Sequence, residues 1–81
     1  MYYTYVLKSL KDNELYIGWT NDLKNRFAKH QSGTVESTKD RRPLKLVYYE
    51  ACLLKDDAIT REKALKTGYG RAYLQRRLKN I

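Results

Sequence analysis

The sequence predicts a small α/β domain, in which a three-stranded, mostly antiparallel sheet is flanked by helices in the order β-β-α-β-α-α. Stretches rich in aromatic and β-branched residues, which favour strands, alternate with longer segments that begin with short polar residues and have helical spacing. The 81 residues, 42% of them hydrophobic, are enough for one core and too few for two. We therefore expect a single domain spanning residues 1–81.

The N-terminal segment predicts a β-hairpin. Residues 2–8 are aromatic and β-branched and form the first predicted strand. A polar turn follows within residues 10–14, and residues 15–18 form a second, shorter strand.

A helix and a long strand are predicted to follow the hairpin. Thr20-Asn21-Asp22 supplies side chains that can cap a helix, which we expect to run to about Gln31 and to stop before Gly33. Residues 32–42 are polar and predict a loop. Residues 44–53 are almost continuously apolar, which favours a central strand covered on both faces.

Two further helices complete the predicted fold. Asp56-Asp57 is typical of a helix start, and we expect this helix to end near Gly68. The last helix is expected from about Arg71 to Asn80.

Charge and composition restrict the class of protein. The formal net charge of +8 lies in residues 21–81 and favours a polyanionic partner, although a solvated basic surface would have the same composition. A single cysteine excludes an internal disulfide and favours either a reducing, cytoplasmic compartment or a protein indifferent to redox state. One histidine and one cysteine cannot form a zinc site, and no apolar run approaches the roughly 18 residues of a membrane span. The first residues favour a strand over a signal peptide.

Polar side chains fall on the inward sides of two predicted helices. Helical spacing places Arg26 and His30 on the same side of the first helix as Leu23 and Phe27. In the second helix, Glu62 falls on the apolar side, where a carboxylate is costly unless it is paired, binds a metal or lines a cleft. Ion pairs from Glu62 to Arg26 or to a lysine one turn later would be purely structural, whereas three such residues together favour a cleft.

These positions also carry a resemblance to a known family. Tyr3-Thr4-Tyr5-Val6-Leu7 followed by Tyr16-Ile17-Gly18 resembles the paired motifs of the GIY-YIG nuclease superfamily. The glycine and isoleucine of the first motif are replaced here, so that only Tyr5 remains. The segment 20–30 resembles the family's first helix, and segments 41–50 and 58–66 resemble its small stand-alone bacterial branch, the YhbQ-like proteins, which are related to the N-terminal nuclease domain of a bacterial excinuclease.

The resemblance implies cleavage of a phosphodiester bond with one divalent metal ion, Mg²⁺ or Mn²⁺. Glu62 would hold the metal, and Arg26 would bind the scissile phosphate. Tyr5 or Tyr16, with Tyr16 ranked first, would deprotonate or orient the attacking water. His30 would hydrogen-bond a tyrosine or a phosphate oxygen.

Other residues are candidates for binding and support. Basic residues expected to contact nucleic acid lie in the loop and on the last helix, namely Lys39, Arg41, Arg42, Arg71, Arg76 and Arg77. Trp19 could stack on a base or pack against the first helix. The resemblance also implies that Thr38 could border the cleft, and Asn80 is the C-terminal candidate for the asparagine that often supports the family's site.

Three hypotheses for function follow. The first is a metal-dependent endonuclease acting on structured or damaged DNA in repair or recombination. The second is a basic nucleic-acid-binding module with weak or no catalysis. The third is a basic domain that docks on a protein, whose binding would not weaken steeply with salt as phosphate contacts do.

Overall fold

The computed structural model describes residues 1–81 and confirms the predicted α/β order. The elements are β1 (Tyr2–Ser9), β2 (Leu15–Thr20), α1 (Leu23–Ser32), a short 3₁₀ helix (Lys39–Arg41), β3 (Leu44–Cys52), α2 (Lys55–Leu65) and α3 (Gly68–Arg77). None of the helices has the length and apolar character needed to cross a membrane.

The sheet has the order β2-β1-β3, and both pairings are antiparallel. The expectation that the strand at 44–53 is central is therefore wrong, because β1 takes the middle position and β3 lies at an edge. The apolar run of β3 misled the prediction, since Tyr49 within it is 54% exposed. By contrast, residues 4–7 of β1 are all buried, as two covered faces require.

Each face of β1 packs against a different part of the chain. Tyr5 and Leu7 point to one face, where they form a cluster with Leu44, and the partly buried Leu23 and Phe27 of α1 cover it. The side chain between them in sequence, Val6, points to the opposite face and packs against Leu65 of α2 and Leu74 of α3. The sheet is thus enclosed by α1 on one side and by α2 with α3 on the other.

The boundaries of α1 follow the capping prediction. The Asp22 side chain accepts a hydrogen bond from the Asn25 N–H at 3.1 Å, which satisfies one of the free amides of the first turn. Gly33 ends the helix with a φ of 82°, a left-handed conformation that glycine adopts without steric cost.

The boundary between α2 and α3 differs from the prediction. Helix α2 ends at Leu65, and α3 already begins at Gly68 and ends at Arg77. Thr67 caps α3 by accepting a hydrogen bond from the Gly70 N–H at 3.3 Å, so the two glycines lie within the first turn and do not interrupt it. Glycine in the sequence suggests a helix breaker, whereas here Gly70 permits close packing of α3 on the end of α2.

Candidate active site

Tyr5 and Gly18 form the floor of the candidate site. The antiparallel register of β1 and β2 places them directly opposite each other. A Cβ atom added at Gly18 would lie 2.6 Å from the Tyr5 hydroxyl, so only glycine leaves room for the phenol to cross β2. This is a physical reason for the glycine that follows Tyr16-Ile17, and it directs Tyr5 toward the open edge of the sheet.

Helix α1 brings Arg26 and His30 to the Tyr5 hydroxyl. The two residues are one turn apart and therefore share a side of the helix, as their spacing predicts. His30 Nε2 lies 2.8 Å from Tyr5 Oη, and Arg26 Nε donates to the same oxygen at 3.4 Å. The inward direction inferred from the sequence for these two basic residues is thus observed, with Tyr5 as their common partner.

A buried chain of hydrogen bonds continues from His30 to Thr38. His30 Nδ1 lies 2.7 Å from Thr38 Oγ1, and Tyr5, His30 and Thr38 have exposed fractions of 1%, 0% and 0%. Burial lowers the pKa of His30 to about 4, with the nearby charge of Arg26 acting in the same direction. His30 is therefore neutral at pH 7, and its ring carries a single hydrogen, either on Nδ1 or on Nε2.

Two tautomers satisfy both ring nitrogens of His30, and they differ in which neighbouring hydroxyl hydrogen lacks a protein acceptor. The Thr38 hydroxyl has no hydrogen-bond partner other than His30, so its hydrogen must point to Nδ1 or remain buried without an acceptor. When Thr38 donates to Nδ1, the hydrogen of His30 lies on Nε2 and is donated to Tyr5. The hydrogen of the Tyr5 hydroxyl then lacks a protein acceptor, whereas in the other tautomer Tyr5 donates to Nε2 and the hydrogen of the buried Thr38 hydroxyl lacks one.

Tyr16 adds a second phenol to this cluster. Its ring centroid lies 5.2 Å from that of His30 and 6.5 Å from that of Tyr5. The pKa of Arg26 is raised, first by its hydrogen bond to Tyr5 and further by both phenols. Burial raises the pKa of Tyr5, which opposes the effect of Arg26. Tyr5 therefore keeps its proton. Tyr16 is only half-buried, so part of its side chain is exposed to solvent.

Glu62 approaches the cluster from α2. Its side chain is 18% exposed, and Oε2 accepts a hydrogen bond from Lys66 at 3.3 Å. The charge of Glu62 contributes to the raised pKa of Tyr5, after the larger effect of burial. Of the two structural ion pairs considered from the sequence, only the one to Lys66 forms. Arg26 forms no ion pair, so its charge is free for an anionic ligand.

The donor set is compatible with a hard divalent cation held by a single carboxylate. No group of three or more His, Cys, Asp or Glu side chains is close enough to form a metal site from protein ligands alone. Glu62 Oε1 makes no hydrogen bond, which leaves one carboxylate oxygen for a cation. Mg²⁺ characteristically binds one or two carboxylates and completes its octahedron with water and phosphate oxygens.

The predicted basic residues of the loop are engaged within the protein. Lys39 pairs with Glu36 and Arg41 with Asp12, each at 3.2 Å. Arg42 donates to the carbonyl oxygen of Lys39 at 2.9 Å. The pair of Arg41 with Asp12 holds the loop that carries Thr38 against the hairpin turn, and Arg42 Nη1 donates to the Gln31 carbonyl oxygen of α1 at 3.4 Å.

The predicted basic residues of α3 point in different directions. Arg71 lines a groove with Tyr16 and Lys66, beside the candidate site. Arg77 lies 6.0 Å from the centroid of the Tyr73 ring, on the side of the molecule near Glu50, whose pKa it helps to lower. Arg76 is exposed and forms no ion pair.

The C-terminal asparagine makes no side-chain contact with the cluster. Asn80 lies beyond the end of α3 and is exposed. The neighbouring residues Lys79 and Ile81 line a groove with Lys8 and Asn13, at the turn of the hairpin.

Two contributions to the site escape sequence reasoning. The sequence suggests Thr38 only as a residue bordering the cleft, and no periodicity relates it to His30. Nothing in the local pattern singles out Lys55, although its Nζ lies 5.4 Å from the centroid of the Trp19 ring. Trp19 therefore contacts the start of α2, whereas the sequence left open stacking on a base or packing against the first helix. The contacts of Thr38 with His30 and of Lys55 with Trp19 join residues from different elements, so the local spacing of residues in the sequence does not predict them.

Comparison with known proteins gives two kinds of match. Residues 1–79 match the family model of the GIY-YIG catalytic domain. UPF0213 protein CPE1444 of Clostridium perfringens is 45% identical over 67 residues, which are 82% of this chain and 71% of that protein. UPF0213 protein SH2523 of Staphylococcus haemolyticus is 43% identical over 67 residues, covering 82% of this chain and 80% of that protein. A UPF0213 protein of Limosilactobacillus reuteri is 43% identical over 80% of this chain and 70% of its own length. No solved structure gives a significant match.

Proposed function

The chain belongs to the GIY-YIG catalytic domain family, and on that premise we propose that it is an endonuclease that hydrolyses DNA phosphodiester bonds with one divalent metal ion. Its substrates would be structured or damaged DNA, in repair or recombination. The observation that carries the proposal is Arg26, an inward-facing guanidinium that bonds to Tyr5, lies beside Tyr16 and has no carboxylate partner.

Arg26 is the proposed phosphate-binding group. Its Nε–H is donated to Tyr5, so that the terminal nitrogens remain for the oxygens of a scissile phosphate. A guanidinium held in this way is oriented before substrate binds, and it stabilises the negative charge that develops during in-line attack. Neutral His30 supports this geometry through Tyr5 without adding a second charge.

The two tyrosines take different proposed roles. Tyr5 keeps its proton, because burial raises its pKa, and it can donate a hydrogen bond to the attacking water or to a phosphate oxygen. Tyr16 is the proposed general base. A free phenol has a pKa of about 10, so this role requires positive charge close by. Arg26 supplies part of that charge.

Glu62 is the proposed metal ligand, through the oxygen that Lys66 leaves free. A bound Mg²⁺ or Mn²⁺ would supply Lewis-acid stabilisation of the leaving oxygen. The protein's own part is to hold the carboxylate partly buried near Tyr5, where its charge is weakly screened.

The test is cleavage of labelled duplex, single-stranded, flap and four-way-junction DNA with Mg²⁺, Mn²⁺ or a chelator. Wild type is compared with Arg26→Ala, Glu62→Ala and the control Glu36→Ala, which removes a surface carboxylate paired only with Lys39. We expect metal-dependent cutting that falls by about 100-fold or more in the first two variants and not in the control.

Two results would contradict parts of this proposal. Cutting that persists in Glu62→Ala would exclude its role with the metal. Absence of cutting by folded wild type that still binds DNA would favour the alternative, a basic binding module, which the net charge of +8 by itself supports.

A further inference from the structure

We propose that a groove beside Arg26 holds an unstacked nucleobase that flanks the bound phosphate, so that the preferred substrate is nucleic acid with an unpaired nucleotide at the cleavage position. This inference rests on the proposed function, because it assumes that Arg26 binds a phosphate. The groove, here the Trp19 groove, is lined by Tyr2, Trp19, Thr20, Asn21, Arg26 and Lys55.

The Trp19 groove lies between the end of β2, the start of α2 and α1. It has a volume of about 300 Å³, at the lower end of the range for sites of small ligands. Two aromatic side chains and two cationic ones line it, which is the combination that binds a base and its phosphate. Since Arg26 belongs to both the groove and the catalytic cluster, a ligand in the groove is adjacent to the proposed scissile phosphate.

The direction of Trp19 follows from the sheet. Trp19 is paired with Thr4 in the register of β1 and β2, so the two side chains share a face. Thr4 is turned toward α2, where its hydroxyl donates to the Ala58 carbonyl oxygen at 2.9 Å. The half-buried indole therefore lies against the start of α2 and reaches solvent through the groove.

Lys55 covers one face of the indole and can leave it when a phosphate binds in the groove. Its ammonium lies 5.4 Å from the centroid of the indole, and the side chain is exposed and forms no ion pair. A phosphate in the groove would draw the ammonium away from the ring, because a phosphate oxygen is a stronger partner than an exposed aromatic face. The face that Lys55 leaves can then stack on the base.

This arrangement discriminates between nucleic acids. A base within an intact duplex is stacked on its neighbours and cannot reach the indole, whereas an unpaired base can turn outward at low cost. Stacking tolerates any base, because every base has a π-face. The groove therefore selects for an unpaired base over a paired one, and not for a particular base sequence.

The direct test uses indole fluorescence, because Trp19 is the only tryptophan of the chain. Wild type is titrated in chelator, without cleavage, with oligothymidylate, with a blunt duplex of equal length and with inorganic phosphate. We expect the single strand to quench the indole emission and the duplex to bind with much less quenching. Phosphate alone should change the emission less than the single strand does, because it can displace Lys55 but cannot stack on the indole.

Variants test the same groove through the anisotropy of labelled DNA. Trp19→Leu should reduce the preference for single strand over duplex by roughly tenfold, whereas Trp19→Phe should keep most of it. Lys55→Ala should weaken binding of both, and Lys63→Ala is its matched control, because Lys63 is an exposed lysine of the same helix and does not line the groove. Circular dichroism verifies that each variant is folded.

The outcomes separate this inference from the proposed function. Binding of single strand without quenching, or an unchanged preference in folded Trp19→Leu, would overturn the Trp19 groove and leave the nuclease intact. Failure of wild type to bind any nucleic acid would overturn both.

Discussion

At the scale of residues, the chain Thr38–His30–Tyr5 determines where one proton lies. Thr38→Val keeps the shape of the side chain and removes the hydroxyl that bonds His30 Nδ1. We expect a loss of about 1–3 kcal/mol in the free energy of unfolding, because a buried ring nitrogen loses its partner. The hydrogen should also become distributed over both ring nitrogens, which ¹⁵N chemical shifts measure.

Thr38→Ser is the control for this change, since it restores the hydroxyl and should restore the wild-type tautomer. A Thr38→Val protein with wild-type stability and an unchanged tautomer would show that the Thr38 hydroxyl does not fix the position of the His30 hydrogen.

At the scale of elements, Gly70 permits α3 to pack on the end of α2. A Cβ added at Gly70 would lie 2.3 Å from the Leu65 Cα, which is backbone and cannot move aside. Gly70→Ala should therefore lower the free energy of unfolding by about 1–3 kcal/mol or more, as measured by urea unfolding.

Gly68→Ala is the matched control within the same helical turn. A Cβ added there has no atom within 4 Å, so alanine should be neutral or stabilise by roughly 0.4–1 kcal/mol. Equal stability of the two variants would show that helix contact is not what requires glycine at position 70.

A bidentate ion pair joins α2 to the edge strand β3. Arg61 Nε and Nη2 donate to the two oxygens of Glu50, each at 2.9 Å, and the Tyr48 hydroxyl donates to Glu50 at 2.7 Å. Burial alone would raise the pKa of Glu50, but the hydrogen bonds from Arg61 and Tyr48 outweigh it and the pKa is lowered. Tyr73 of α3 lies 2.8 Å from the Tyr48 hydroxyl, so both C-terminal helices are held to the strand. Fixing α2 in this way also fixes Glu62.

At the scale of the whole molecule, His30 makes stability depend on pH. Its pKa is about 4 in the folded protein and about 6.5 when unperturbed, so between these values the unfolded chain binds more protons. The free energy of unfolding should therefore fall as the pH is lowered from about 6.5 toward 4, by roughly 3 kcal/mol at most. Above pH 6.5 the contribution of His30 is constant.

Urea unfolding at a series of pH values checks this dependence. His30→Gln removes the titrating group, so its stability should change less than that of wild type over the same interval, whatever its absolute value. Parallel curves for the two proteins would show that His30 does not carry the effect. Glu50 and Asp12, whose pKa values are lowered, act at more acidic pH, where their contributions to stability are lost.

Local pattern was sufficient to determine the order of elements, both caps of α1 and the inward direction of Arg26, His30 and Glu62. These features depend on near neighbours in the chain, through the periods of helices and strands and through capping side chains. The family resemblance also depended on local motifs, namely the paired hairpin motifs together with the segments 20–30, 41–50 and 58–66 in the same order.

The tertiary structure alone decided which strand is central, that Glu62 pairs with Lys66 and not with Arg26, and that Thr38 completes the chain to Tyr5. It also placed Lys55 over Trp19 and gave Gly70 its role in packing. Each of these is a contact between groups brought together by sheet pairing or helix packing. Such contacts depend on how strands and helices that are distant in the sequence pack together, and the local periodicity of the sequence contains no information about that packing.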